Sequence, residues 1–309
     1  MPFWNRNGIG LSVSETQIAM VEAKRRGTGV EVGRYAVEMI GGGLLRPSPV
    51  EQNIGDLAQG RTHMRALLER FPAVRRIALA LPDAVVRVLV LNLQQTPKQR
   101  ADFERLIRWH MEKTFLHPLG AARFSYQVLP HPKTGWKVIA TAVKQDIIAQ
   151  YEALCEGREI VHIAPASFSL LNLFDPLIAS HHVPHAVVAY WFDRSLTLFI
   201  FEAGLLNFVR VKEFPEGDAS QSVSVLIREI GTSLSFYEGI GDPSLRPTHL
   251  FLLMGSAADP TLTTQLGAAL PLTPVLLDVR QVVRKSPAID PHEPLSDAVM
   301  SAAAAAVAM

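Results

Sequence analysis

Two strand-like runs rich in apolar residues constrain this chain more than anything else in it. "GIGLSVSETQIAMVEAK" begins at Gly8, and "HAVVAYWFDRSLTLFIFEAGLLNFVRVKEF" begins at His185. Each reads as apolar strands joined by tight turns, and each heads a half-chain in which strands and helices then mix. A chain of 309 residues is long enough for about two cores at roughly 150 residues each. The similar layout of the halves predicts an α/β protein of two comparable units, divided at the loop "ASHHVPH".

Composition narrows the function classes. A charged fraction of 19% and a formal net charge of +1 remove the general electrostatic reason to expect nucleic acid. The single cysteine, Cys155, excludes an intramolecular disulfide and a thiolate cluster, fits a reducing cytoplasm, and reads as a small buried hydrophobe. No run reaches the roughly 20 apolar residues that span a bilayer, because "IALALPDAVVRVLVLNL" is broken by Pro82, Asp83 and Arg87. The terminal "DAVMSAAAAAVAM" is helix-prone and too short to cross.

Along the first half, Gly8 to Val37 predicts a meander, with turns at Ser14-Glu15-Thr16 and Gly27-Thr28-Gly29. Leu57, Met64, Leu67 and Leu68 follow at helical spacing, and then comes the buried strand "VRRIALALP". The next block is strand, helix, strand, strand. Its helix carries Thr96 as N-cap, Pro97 at the first position and Gln99 closing a capping box, with Phe103, Leu106, Ile107 and Met111 on one face.

Familiar catalytic patterns are missing. The G-x-G of "GIGLSVSE" lacks the third glycine and leads into a strand, so it offers a pyrophosphate no helix N-terminus. There is no P-loop and no nucleophile elbow. His181, His182 and His185 have no nearby carboxylate pair and read as a polar interdomain loop, not a metal site. Trp109 and His110 read as part of an amphipathic helix.

The order of these segments resembles the type IV pilus assembly protein PilM family, of the actin-like superfamily that includes the cell-division protein FtsA. The first turn "GIGLSVSETQIAMVEAK", the inserted "ALALPDAVVRVLVLNL", "LIRWHMEKTF" and "FSYQVL", the segments "VIATAVKQDIIAQYEAL" and "HIAPASFSLLNL", and then "REIGTSLSFYEG", "THLFLLMGSA" and the alanine-rich end carry the likeness. It implies a two-lobed actin-like (ribonuclease H-like) ATPase fold. The first lobe would span 1–180, with an SHS2-type strand-helix-strand-strand subdomain at about 84–155, and the second 181–309.

In that family the cleft between the lobes binds ATP through two Asp-x-Gly turns. Here the first falls on Ser12-Val13-Ser14 and the second on Tyr190-Trp191-Phe192, so neither Asp nor Gly survives, while the adenosine-side Gly-Gly falls on Gly255-Ser256. The remnant cleft would comprise Ser12, Ser14, Glu15, Thr16, Asp193, Arg194, Ser195, Gly255 and Ser256. Losing the carboxylates removes what holds metal and water in phosphoryl transfer, so the expected cofactor is none, with ATP and magnesium only if the cleft is retained. The resemblance further implies a cytoplasmic scaffold, peripheral to the inner membrane. It would bind the N-terminal tail of a PilN-like single-span protein beside the region from Ala84 to Val143, in a pilus or type II secretion-like assembly. The alternatives are an active ATPase or small-molecule kinase, and a filament former that self-associates through its lobes.

Overall fold

The computed structural model describes residues 7–94, 99–114, 121–131, 135–192, 195–214, 223–238, 245–254 and 261–308. The opening meander forms as expected. β1 (Gly8–Val13), β2 (Gln17–Arg26) and β3 (Gly29–Met39) are antiparallel neighbours. β4 (Arg76–Leu81) and β8 (Glu159–Pro165) extend the sheet in parallel from β1, and β14 (Val283–Lys285) closes its other edge against β3. The outer face of this sheet is covered by α1 (Leu57–Arg70) and α3 (Gln145–Leu154), which bury Met64, Leu67, Ile147 and Tyr151. Asp56 starts α1 by accepting a hydrogen bond from the Gln59 N–H.

The second sheet has the order β11-β10-β9-β12-β13. Its strands are β9 (Ala186–Phe192), β10 (Ser195–Glu202), β11 (Leu205–Glu213), β12 (His249–Met254) and β13 (Thr273–Leu276). The sequence from His185 is thus a true hairpin, with Phe192 opposite Ser195. Period-2 alternation sorts the faces of β9: Val187, Ala189 and Trp191 pack with α5 (Val223–Glu238) and α6 (Leu262–Ala269). Ala186, Val188 and Tyr190 look the other way, into the middle of the molecule.

That middle layer holds α4 (Ala166–Ala179) and α7 (Asp297–Ala306). One apolar cluster joins the inner face of the first sheet (Val21, Val30), α4 (Leu170, Phe174), α7 (Ala302, Ala303) and the inner face of the second sheet (Val188, Phe199). The alanine-rich terminal helix is therefore buried from Ala298 to Ala306. It lies so close to β1 that a Cβ built on Gly10 would meet the Ala302 carbonyl oxygen at 1.8 Å. Both β14 and α7 come from the last part of the chain and pack with the first sheet.

The inserted block is a three-stranded antiparallel sheet of order β5-β7-β6, with β5 (Arg87–Leu93), β6 (Ala122–His131) and β7 (Gly135–Lys144). α2 (Arg100–Thr114) covers one face, laying Phe103, Ile107 and Met111 on Leu89, Val138 and Ala140. The expected cap residues Thr96 and Pro97 lie outside the described residues, while the Gln99 carbonyl accepts from the Phe103 N–H. On the opposite face, buried Lys137 donates to Asn207 of β11, which ties the insert to the second sheet.

Candidate functional site

The ends of β1 and β9 point into one cavity between the two sheets, with a volume of about 410 Å³. The β1–β2 turn contributes Ser12, Ser14 and Glu15, and the β9–β10 hairpin contributes Tyr190, Phe192 and Ser195. Pro82, Asp83, Ala166 and Phe214 complete much of the wall. Thr16 is exposed beside it, and Asp193, Arg194, Gly255 and Ser256 lie outside the described residues.

Each substituted turn residue has a local role. Ser14 closes its turn: its Oγ donates to the Gln17 carbonyl at 3.1 Å and accepts from the Gln17 N–H at 3.2 Å. Tyr190 reaches across the middle layer, where its hydroxyl and Ser301 Oγ of α7 are hydrogen-bonded at 3.2 Å. Its ring stacks on Phe192 with centroids 6.0 Å apart. The Ser195 Oγ is buried with no hydrogen-bond partner among the described residues.

Asp83 is not among the residues singled out from the sequence, although an acid directly after the apolar run "IALALP" is a signal that it sits in the interior. It occupies a short 3-10 turn, Asp83–Val85, between β4 and β5, and is 7% exposed. Its Oδ1 accepts from Ser167 Oγ at 2.7 Å and from the Ser167 N–H at 3.2 Å, while Oδ2 accepts from Thr197 Oγ1 of β10 at 3.1 Å. Burial pushes its pKa from 3.8 up to about 6, and the bonds from Ser167 and Thr197 hold it back from rising further. Pro165, at the N-cap of α4, makes no side-chain capping bond. Asp83 supplies one from elsewhere in the chain, satisfying an orphan N–H of the first helical turn and placing a carboxylate at the positive end of the helix.

A second, larger cavity of about 880 Å³ lies beside the insert. Ser125 and Thr141 come from the inserted sheet, His162 to Pro165 from β8, Phe168, Ser169 and Asn172 from α4, and Val307 and Ala308 from the chain end. Both β6 and β8 are the last strands of their sheets, so the groove runs between two sheet edges. Burial lowers the pKa of His162, which favours the neutral imidazole.

Other features carry less chemistry. No group of three or more His, Cys, Asp or Glu side chains able to hold a metal occurs among the described residues. Cys155 is fully buried, and burial pushes its thiol pKa up to about 12. No helix among the described residues is long and apolar enough to cross a membrane.

No protein-family model matches the chain, and no curated protein does. Among solved structures, a PilM-PilN type IV pilus biogenesis complex is similar over 96% of this chain and 97% of the matched chain, with 19% identity and a TM-score of 0.74. A Bacteroides thetaiotaomicron protein with an actin-like ATPase fold and unknown function covers 92% of this chain and 96% of its own, with 10% identity and a TM-score of 0.51. The chain therefore has the two-lobed actin-like fold, with the cleft cavity between its lobes.

Proposed function

We propose that this chain is a PilM-like scaffold in the inner-membrane assembly of a type IV pilus or a type II secretion-like machine. It would be held at the cytoplasmic face of the membrane by a PilN-like single-span partner. The observation that carries this reading is the groove of about 880 Å³ between the inserted sheet and the β8 edge, in a fold shared along nearly its whole length with a PilM-PilN complex. The N-terminal cytoplasmic tail of the partner docks there as an extended peptide. Open strand edges offer backbone hydrogen bonds, and Phe168 and Ile163 offer apolar contact.

The cleft fits a degenerate nucleotide site. Where a triphosphate needs carboxylates for magnesium and glycines that let backbone N–H groups approach, the chain places Ser12, Ser14, Tyr190 and Phe192. Tyr190 and Ser14 instead serve a lobe-to-lobe contact and a turn. Two isothermal titrations of the purified chain test both halves of this reading. A synthetic peptide matching the N-terminal cytoplasmic tail of a PilN-like single-span protein from the same genome should bind, and Thr141→Arg, which crowds the groove, should weaken binding tenfold or more. Magnesium ATP should give no heat. A tail that does not bind refutes the docking reading, and micromolar ATP binding with turnover refutes the degenerate cleft.

A further inference from the structure

The cleft and the groove stand back to back, separated by a single turn of α4. Ala166 lines the cleft, whereas Pro165, Phe168 and Ser169 line the groove. Between them, Ser167 bonds Asp83 through both its N–H and its hydroxyl. This turn is also clamped to the second lobe at two points. Asp83 accepts from Thr197 of β10, and two residues further along that strand Phe199 meets the ring of Phe168 edge-on, with centroids 5.1 Å apart and planes at 84°.

We propose that the first turn of α4 couples the two cavities, with Asp83 as the latch. In the latched state one carboxylate caps α4 and holds the second lobe, so Phe168 and Ser169 keep their places in the groove wall. In the unlatched state Thr197 has let go, the lobes part at the cleft, and Phe168 loses its backing on Phe199. The cap on Ser167 is then no longer held from both sides, and the groove wall loosens. Two discrete arrangements of one turn, biased from either cavity, make the coupling reciprocal: whatever opens the cleft changes the groove, and an occupied groove favours one lobe setting. As regulation of partner docking, this rests on the reading of the groove as the docking site. The physical coupling does not.

Hydrogen exchange of the full-length chain, read by mass spectrometry at pH 7.5, tests it without any partner. Thr197→Val keeps the shape of the side chain, removes the bond from the second lobe and lies outside the groove lining. The expected result is at least fivefold faster exchange across 166–172 as well as across 195–199, with α6 unchanged as the reference for global stability. Asp83→Asn is the second variant. Its amide can still accept from Ser167 and can donate to a rotated Thr197 hydroxyl, so exchange at 166–172 should stay within twofold of the parent. Acceleration confined to β10 in Thr197→Val, with 166–172 unchanged, overturns the coupling, as does an Asp83→Asn chain that loosens 166–172 as much as Thr197→Val does. A tail peptide that fails to bind leaves these outcomes intact.

Discussion

Gly10→Ala is the sharpest test of how the lobes are joined. The added Cβ would sit 1.8 Å from the Ala302 carbonyl oxygen, 2.6 Å from its carbonyl carbon and 3.0 Å from the Ala306 nitrogen. All three atoms are backbone, so no rotamer can relieve the overlap. A carbon approaches an oxygen no closer than about 3.3 Å, so α7 would have to withdraw from β1 by roughly 1.5 Å. α7 is buried from Ala298 to Ala306 between the two sheets, so withdrawal on one side is compression on the other. A gap of about 1 Å already forfeits up to half of a contact's attraction, and overpacking a filled core costs about 1–3 kcal/mol. Replacing glycine in a strand returns about 0.5–1 kcal/mol from chain entropy. The net expectation is a loss of about 1 kcal/mol, seen in urea unfolding as a lower midpoint at unchanged slope. Gly41→Ala is the matched control, because nothing lies within 4 Å of its Cβ position, and it should stay within about 0.5 kcal/mol of the parent. If both variants unfold at the parent's midpoint, the close approach of α7 to β1 is wrong.

Three further outcomes follow from single residues. The folded-state pKa of Asp83, raised from 3.8 to about 6, means the folded chain binds this proton more tightly than the unfolded chain. Its contribution therefore favours folding increasingly as pH falls from 6 towards 3.8, and lowering pH from 7.5 to 5 should stabilise the parent relative to Asp83→Asn by about 1 kcal/mol. The opposite trend in paired denaturation curves would refute the buried, proton-binding carboxylate. Ala203 holds φ +52° in the β10–β11 hairpin turn beside Gly204, so Ala203→Gly should raise stability by about 1 kcal/mol, and a loss in thermal unfolding would contradict that backbone. Cys155 should resist a thiol reagent at pH 8 in the folded chain and react fully in denaturant; fast labelling of the native protein would show that the thiol is not enclosed.

Much of the fold was legible because its signals are local. Apolar alternation broken by turn residues marked β1 to β3, a continuous apolar run and its turn marked the hairpin of β9 and β10, and helical spacing of Phe103, Ile107 and Met111 marked the covered face of the inserted sheet. The two turns that face the cleft were found the same way, since a strand-turn-strand pattern locates its own turn. The new roles of residues in them were not: that Tyr190 bonds Ser301 depends on a helix over a hundred residues away in the chain.

Sequence by itself determined which segments are strands and helices and which of their faces avoid water, because those properties repeat within a few residues. Only the tertiary structure decided what covers each face. "SAAAAA" says helix, yet that it lies between two sheets, against a glycine that admits its backbone, follows from Gly10 and Ala302 meeting across the fold. An acid after "IALALP" says interior, yet its service as cap and latch needs Ser167 and Thr197 brought from two other segments. Periodicity records that a residue has a neighbour, and long-range packing alone chooses which one.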